Sequence, residues 1–345
     1  MIWKFFRDMF SAPNAGFSER YEHCLQRGTE ILQSAKLPSE FARLERRIHE
    51  EFSLFHRWST DTQTTRLLDD EIMATKSVPG LSRVFMFHGD GRVRAAALDQ
   101  LQGPLIAPGS VYALFWRLND WVPEVREIAK RAIERCLPTT PAVVIVPALK
   151  VLLLHVPSWG RWSQDGPETI NALLMRQDVV ESLLQDIIST RQSKLGLIFR
   201  EISRNPWVDQ HLEKVLREAK LPHIRAMALE ALISKRMRWP ERKSRKVWID
   251  QYMKKYRVEQ VFSERELTSA VHLPTCLLLG AKDQASIVRK RAADGVIAFR
   301  NSDILSEQLD ELVDLLDEDK NLGVQGRIEF LKRKLSEEGK SKSAR

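Results

Sequence analysis

The strongest chemical signal in the chain is residues 235–257, KRMRWPERKSRKVWIDQYMKKYR, where ten Lys/Arg stand against Glu241 and Asp250 for a net charge of +8. The bases are Lys235, Arg236, Arg238, Arg242, Lys243, Arg245, Lys246, Lys254, Lys255 and Arg257, interleaved with Trp239, Trp248, Tyr252 and Tyr256. Cations neutralise phosphate and aromatic rings stack on exposed bases, so this combination suits DNA, RNA or another polyanion. Trp248, Tyr252 and Tyr256 fall at i, i+4 and i+8, which predicts one face of a helix. Aromatics at that spacing more often line a core, so the charge is the firmer part of the signal. An internal partner is also available in sequence. Residues 303–319 carry eight Asp/Glu and no Lys/Arg, a net of −8 that could face the basic segment.

Catalytic arrangements are not evident. His23 and Cys24 are adjacent, but nucleophilic Cys/His pairs are assembled across a fold, and adjacent residues on a helix point apart. Glu45, His49 and His56 share a helical stretch, yet only Glu45 and His49 have a ligand-like spacing, which suits a solvated face better than a metal. FHGDGRVR at 87–94 has two glycines but no Gly-Lys-Ser/Thr after them, and reads as a turn in which Asp90 caps the next helix. We therefore expect no enzyme activity, no cofactor and no metal. The loop PSWGRWSQDGPE pairs Trp159 and Trp162 around Arg161. Exposed Trp and Arg dominate protein-binding hot spots, while buried Trp rings would instead seal an irregular gap between helices.

The elements that must position these residues show in a recurring pattern. Val125, Ile128, Ala129, Ala132, Ile133 and Cys136 form a single apolar stripe. Asn119 or Asp120 is suited to cap this helix, and Pro123 and Glu124 suit its first turn. The core of that helix recurs, with a β-branched residue, then Arg, then Ala three later: Val93-Arg94 with Ala97, Val125-Arg126 with Ala129, Ile224-Arg225 with Ala228, and Val288-Arg289 with Ala292. Asp120 and Asp283 stand six residues before their arginines, and Asp90 stands four before Arg94. The arginines are separated by 32, 99 and 64 residues, close to one, three and two multiples of a 32–33-residue period. Such a period marks stacked helix pairs. Between Arg225 and Arg289, Tyr256-Arg257 marks the place of a degenerate copy. Small residues admit a neighbouring helix, and each Arg is expected to reach an acid in its own turn or the next.

This pattern resembles the second helix of HEAT repeats, most fully at Asp120, Pro123, Val125, Arg126 and Ala129. The resemblance implies an all-α fold, a right-handed α-solenoid of helix pairs with helical caps at both ends. It implies Asp90, Arg94, Asp120, Arg126, Arg225, Asp283 and Arg289 as structural positions. The expected organisation is an N-terminal helical cap at 1–80, a repeat array at 81–300, capping helices at 301–335 and a disordered basic tail at 336–345.

Three cysteines without a CxxC pair fit free thiols in a reducing compartment. The N-terminal MIWKFFRDMF is broken by charges, unlike a signal peptide, and reads as a helix packed on its own domain. AVVIVPALKVLLLH is too short to span a bilayer and reads as a buried helix at Pro147. A cytoplasmic location follows. HEAT-like chains mostly hold protein partners, so a non-enzymatic scaffold is the first expected function. Nucleic-acid binding through 235–257 is the alternative, since HEAT-like solenoids include DNA glycosylases with a basic groove. That family's catalytic Asp has no counterpart that can be placed here.

Overall fold

A computed structural model of the chain describes residues 17–35, 37–52, 62–155, 159–161, 165–191 and 194–343. It forms two compact units, Met1–Leu173 and Leu174–Arg345, so the division falls inside the stretch expected to be one array. The protein is mostly helical, and no helix among the described residues is long and apolar enough to cross a membrane.

The first unit contains α1 (Phe17–Ser34), α2 (Pro38–Phe52), α3 (Thr62–Ser77), α4 (Ser82–Phe85), α5 (Gly91–Gln100), α6 (Pro108–Arg117), α7 (Pro123–Cys136) and α8 (Ala142–His155). Helix α9 (Asp165–Leu174) ends at the division. Pro123 opens α7 where its missing N–H costs nothing, and Glu124 follows in the first turn. The apolar stripe of α7 is buried at Val125, Ala129, Ala132, Ile133 and Cys136. It packs on α5 and α6, and α6 packs on α8. Helix α8 runs through Pro147 and buries Ile145, Val146, Ala148, Leu149, Val151 and Leu152.

In the second unit, α10 (Gln177–Ser189) and α11 (Leu195–Ile202) precede a 3-10 turn at Pro206–His211 that leads into α12 (Leu212–Glu218) and α13 (Pro222–Ser234). After a β-hairpin come α14 (Leu273–Ala281), α15 (Ser286–Phe299), α16 (Leu309–Asp317) and α17 (Leu322–Ser343). Helices α13, α15 and α17 pack in succession, and α12, α14 and α16 do the same beside them. The small residue Gly295 matters to this stacking, since a Cβ there would meet Leu277 Cδ2 at 2.6 Å and Ile233 Cδ1 at 2.8 Å.

The repeated arginines share one geometry. Each donates from Nη1 to the carbonyl six residues before it: Arg94 to His88, Arg126 to Asp120, Arg225 to Ala219 and Arg289 to Asp283, at 2.7–2.9 Å. Three of them also grip an aspartate of the following helix pair with two N–H groups. Arg94 holds Asp120, Arg225 holds Asp283 and Arg289 holds Asp319. Each aspartate in turn accepts the backbone N–H two residues on, from Val122, Ala285 and Asn321. Asp120 therefore serves the turn at Val122 and bridges to the preceding pair, while α7 itself has no side-chain cap. Asp90 accepts from the N–H of Arg92 in the same way. Among the described residues Arg126 makes no ion pair and keeps only its carbonyl strap.

Three sequence expectations are corrected. The 64-residue step from Arg225 to Arg289 is one period plus an insertion, not two periods. Arg94 and Asp120 are 26 residues apart, and Arg289 and Asp319 are 30 apart. Arg225 and Asp283 are 58 apart because 31 residues, Arg236–Glu266, form an antiparallel two-stranded sheet between them. The fold is mostly helical with this small sheet added, and Tyr256-Arg257 belongs to a strand and not to a helical copy. Finally, α17 continues as helix to Ser343, so the expected disordered tail is helical over 336–343; Lys334 pairs with Glu337 one turn on.

The pair Arg94–Asp120 is almost fully buried, at 3% and 0% side-chain exposure. Removing one partner of a buried pair strands the other charge. Asp120→Ala is expected to cost about 3–5 kcal/mol in a thermal or urea melt, and Arg126→Ala about 1 kcal/mol. Burial raises the Asp120 carboxyl, but hydrogen bonds from Arg94, Val122 N–H and Arg117 outweigh it and hold the group below its usual range. The Asp319 carboxyl is also lowered, chiefly by its hydrogen bond from Arg289. With folded values below the unfolded one of about 3.9, their stabilisation is complete above about pH 5 and disappears as pH falls through the folded values. Acid titration of a melt should show stability falling below that point, with a smaller fall in Asp319→Asn.

Candidate nucleic-acid interface

The basic segment is a hairpin, not a helix. Strand β1 (Arg236–Asp250) pairs with β2 (Lys255–Glu266), with irregularities between Pro240 and Ser244 and between Trp248 and Asp250. Trp248 and Tyr256 are thus cross-strand neighbours, and Tyr252 sits in the turn. The β-branched Val247, Ile249, Val258 and Val261 favour this ribbon. Lys235 leaves α13 in the left-handed region, φ 54°, and its carbonyl accepts from Leu267 N–H at 3.0 Å, which closes the root.

The root is anchored on one face. Met237 is buried, and the Arg204 guanidinium lies 5.6 Å from the centre of the half-buried Trp239 ring. Arg265 donates to both oxygens of Asp209 and to the carbonyls of Ser203 and Asn205. Thr268 adds its N–H and hydroxyl to the same carboxylate. The opposite face looks outward. There Arg236 pairs with Glu264 at 2.6 Å, Arg238 lies 5.4 Å from the Phe262 ring centre, and Lys246 lies 4.6 Å from that of Tyr256. Trp248 meets Tyr256 edge to face at 5.5 Å. At the foot of this face, a cavity of about 380 Å³ is lined by Arg200, Arg236, Arg238 and Arg291, with Glu230 and Glu264.

Towards the tip the balance turns basic. Residues 242–257 hold Arg242, Lys243, Arg245, Lys246, Lys254, Lys255 and Arg257 against Asp250 alone, seven against one for a net of +6. Arg245 and Arg257 both reach Glu259, whose carboxyl is lowered chiefly by the Arg245 hydrogen bond. Lys243, Lys254 and Lys255 make no ion pair among the described residues, and the side chain of Arg242 lies outside them. In the turn, one Asp250 oxygen accepts from the N–H groups of Tyr252 and Met253, and Lys254 is left-handed at φ 51°. Tyr252 is 99% exposed.

The acidic segment 303–319 has other partners. Glu311 pairs with Lys282, Asp317 with Lys332 and Asp319 with Arg289. In the first unit, Trp159 meets Tyr112 and Trp116 edge-on at 6.3 and 5.0 Å, beside a cavity of about 220 Å³ that Glu45 also lines. Arg161 is exposed and its backbone N–H donates to Asn119; Trp162 lies outside the described residues. His23 is exposed while Cys24 is buried. Glu45 accepts from Arg117 and Trp116, His49 bonds to the Phe87 carbonyl, and His56 lies outside the described residues. No group of three or more His, Cys, Asp or Glu suited to a metal occurs among the described residues.

Sequence reasoning overlooked Arg204, Arg265 and Arg291, which anchor or flank the hairpin from beyond the basic segment. The available signal was period-two alternation through Tyr256, Val258, Gln260 and Phe262, outward, against Arg257, Glu259, Val261 and Ser263. No protein-family model matches the chain, and comparison with curated proteins gives no match.

Because the backbone closes at Lys235 and Leu267, and no side chain of 241–261 is buried among the described residues, the distal hairpin is separable from the helical frame. Replacing 241–261 with an Asn-Gly turn between Pro240 and Phe262 should leave the far-ultraviolet helical spectrum intact. It should shift stability by less than about 1 kcal/mol in a urea melt.

Proposed function

We propose that this chain is a non-enzymatic nucleic-acid-binding protein. HEAT-like helix pairs, stacked within each unit as a right-handed solenoid, provide the frame, and the basic hairpin makes the contact. The observation that carries the reading is the distal part of the hairpin, 242–257, which is largely exposed, carries a net charge of +6, and holds Lys243, Lys254 and Lys255 in no ion pair among the described residues. Solubility requires no such concentration of charge on one projecting element, whereas phosphate neutralisation does. Three buried free cysteines fit a cytoplasmic site of action.

The scaffold function expected of helix-pair repeats is the second reading. Its supporting observation is the first-unit cleft formed by Tyr112, Trp116 and Trp159, a shape that would accept an apolar side chain of a protein partner.

Fluorescence anisotropy with labelled DNA and RNA over a salt series tests the first reading. Binding should weaken steeply with salt. Replacing Lys243, Lys254 and Lys255 with Ala should reduce the slope of log K against log salt by about 0.9 per lost duplex phosphate contact. Absent or salt-independent binding would sink it.

A further inference from the structure

Resting on the nucleic-acid reading, we propose that the ligand is a duplex and that the hairpin tip is a wedge. The ribbon lies along a groove while Tyr252 and Met253 enter between base pairs at a deformable step.

The tip carries the argument. Ile249, Tyr252 and Met253 are exposed at 68, 99 and 62%, with Tyr252 almost wholly free of the protein, whereas the rings nearer the root, Trp248, Tyr256 and Phe262, are exposed at 48, 44 and 41%. Their backbone is nonetheless held. Asp250 binds the N–H groups of Tyr252 and Met253 at 2.9 and 3.0 Å, and Lys254 fixes the return of the chain. An apolar group on a pre-set turn, at the end of a charged arm, is the device that pries base steps apart. Lys254 and Lys255 stand immediately beside it, placed to hold the phosphates that flank a kink.

The rings further down the ribbon are differently used. Lys246 covers Tyr256, and Tyr256 and Trp248 are locked edge to face. A platform for successive bases of a single strand needs open ring faces, and this pair offers few. Length points the same way. Beyond the anchored root, the seven β2 residues from Lys255 to Val261 reach about 23 Å, roughly two-thirds of a duplex turn, and a two-stranded ribbon fits the major groove. The cations run from the tip to the arginine cavity at the root, which suits a long polyanion. A membrane surface would engage the tip alone.

The test uses the full chain and an alternating dA/dT duplex of about 30 base pairs, rich in flexible pyrimidine–purine steps and carrying 2-aminopurine. Binding should raise 2-aminopurine emission and shorten the end-to-end distance read by energy transfer. Tyr252→Ala combined with Met253→Ala should preserve the salt slope, since phosphate contacts remain, yet abolish the emission rise at saturating protein, whatever affinity is lost with the wedge. Tyr252→Phe should retain it. These side chains are exposed, and a melting curve checks that the variants fold. Saturated duplex binding without unstacking or bending overturns the wedge and leaves nucleic-acid binding standing. A preference of about 10-fold or more for the single strand overturns the duplex assignment. Binding to phosphatidylglycerol vesicles with none to either nucleic acid overturns both readings, as does binding to neither kind of ligand.

Discussion

The structure depends on the bond between an arginine on one helix pair and an aspartate in the loop of the next. Burying two charges is costly, and the return is sufficient only when every polar atom is served. Here it is. The Asp120 carboxylate takes two N–H groups from Arg94, one from Arg117 and the N–H of Val122, while Arg94 spends its remaining nitrogen on the carbonyls of His88 and Gly89. A neighbouring register would leave the carboxylate or the guanidinium unpaired. The bridge therefore fixes how far one pair slides along the next, a restriction that leucine packing alone imposes weakly.

The hairpin follows opposite physics. It contributes one buried apolar side chain near its root, Met237, and carries two open strand edges and an uncovered apolar tip. Exposed edges invite pairing with other chains. Lysines and arginines along both strands, Pro240, and the irregularity from Pro240 to Ser244 counter that tendency. The charge that opposes self-association of the ribbon is the same charge on which the proposed polyanion contact rests, so one composition would meet both demands.

What could be read from sequence follows from the range of each interaction. The Val-Arg-x-x-Ala copies are local, and the α7 stripe needs only helical spacing to declare its buried face. The hairpin was concealed by two coincidences. Its 31 residues nearly equal one repeat, so the interval from Arg225 to Arg289 keeps the period. Trp248, Tyr252 and Tyr256 also satisfy helical spacing although they lie on two strands and a turn. The bidentate partners of the arginines, at separations of 26, 58 and 30 residues, are set by stacking that no local pattern encodes. The grip of Arg265 on Asp209 is equally remote in sequence, at 56 residues.

The closure at the hairpin root has a consequence for how such a chain can diversify. Lys235 and Leu267 meet through a backbone hydrogen bond, and the helices on either side, α13 and α14, pack directly on each other. The frame thus behaves as a socket and the ribbon as a cassette. Substitutions in the distal arm are released from the requirements of folding, because none of its side chains completes the core. That arm can lengthen, shorten or change its chemistry by small steps while the helical body stays constant, so recognition and architecture are free to drift at different rates.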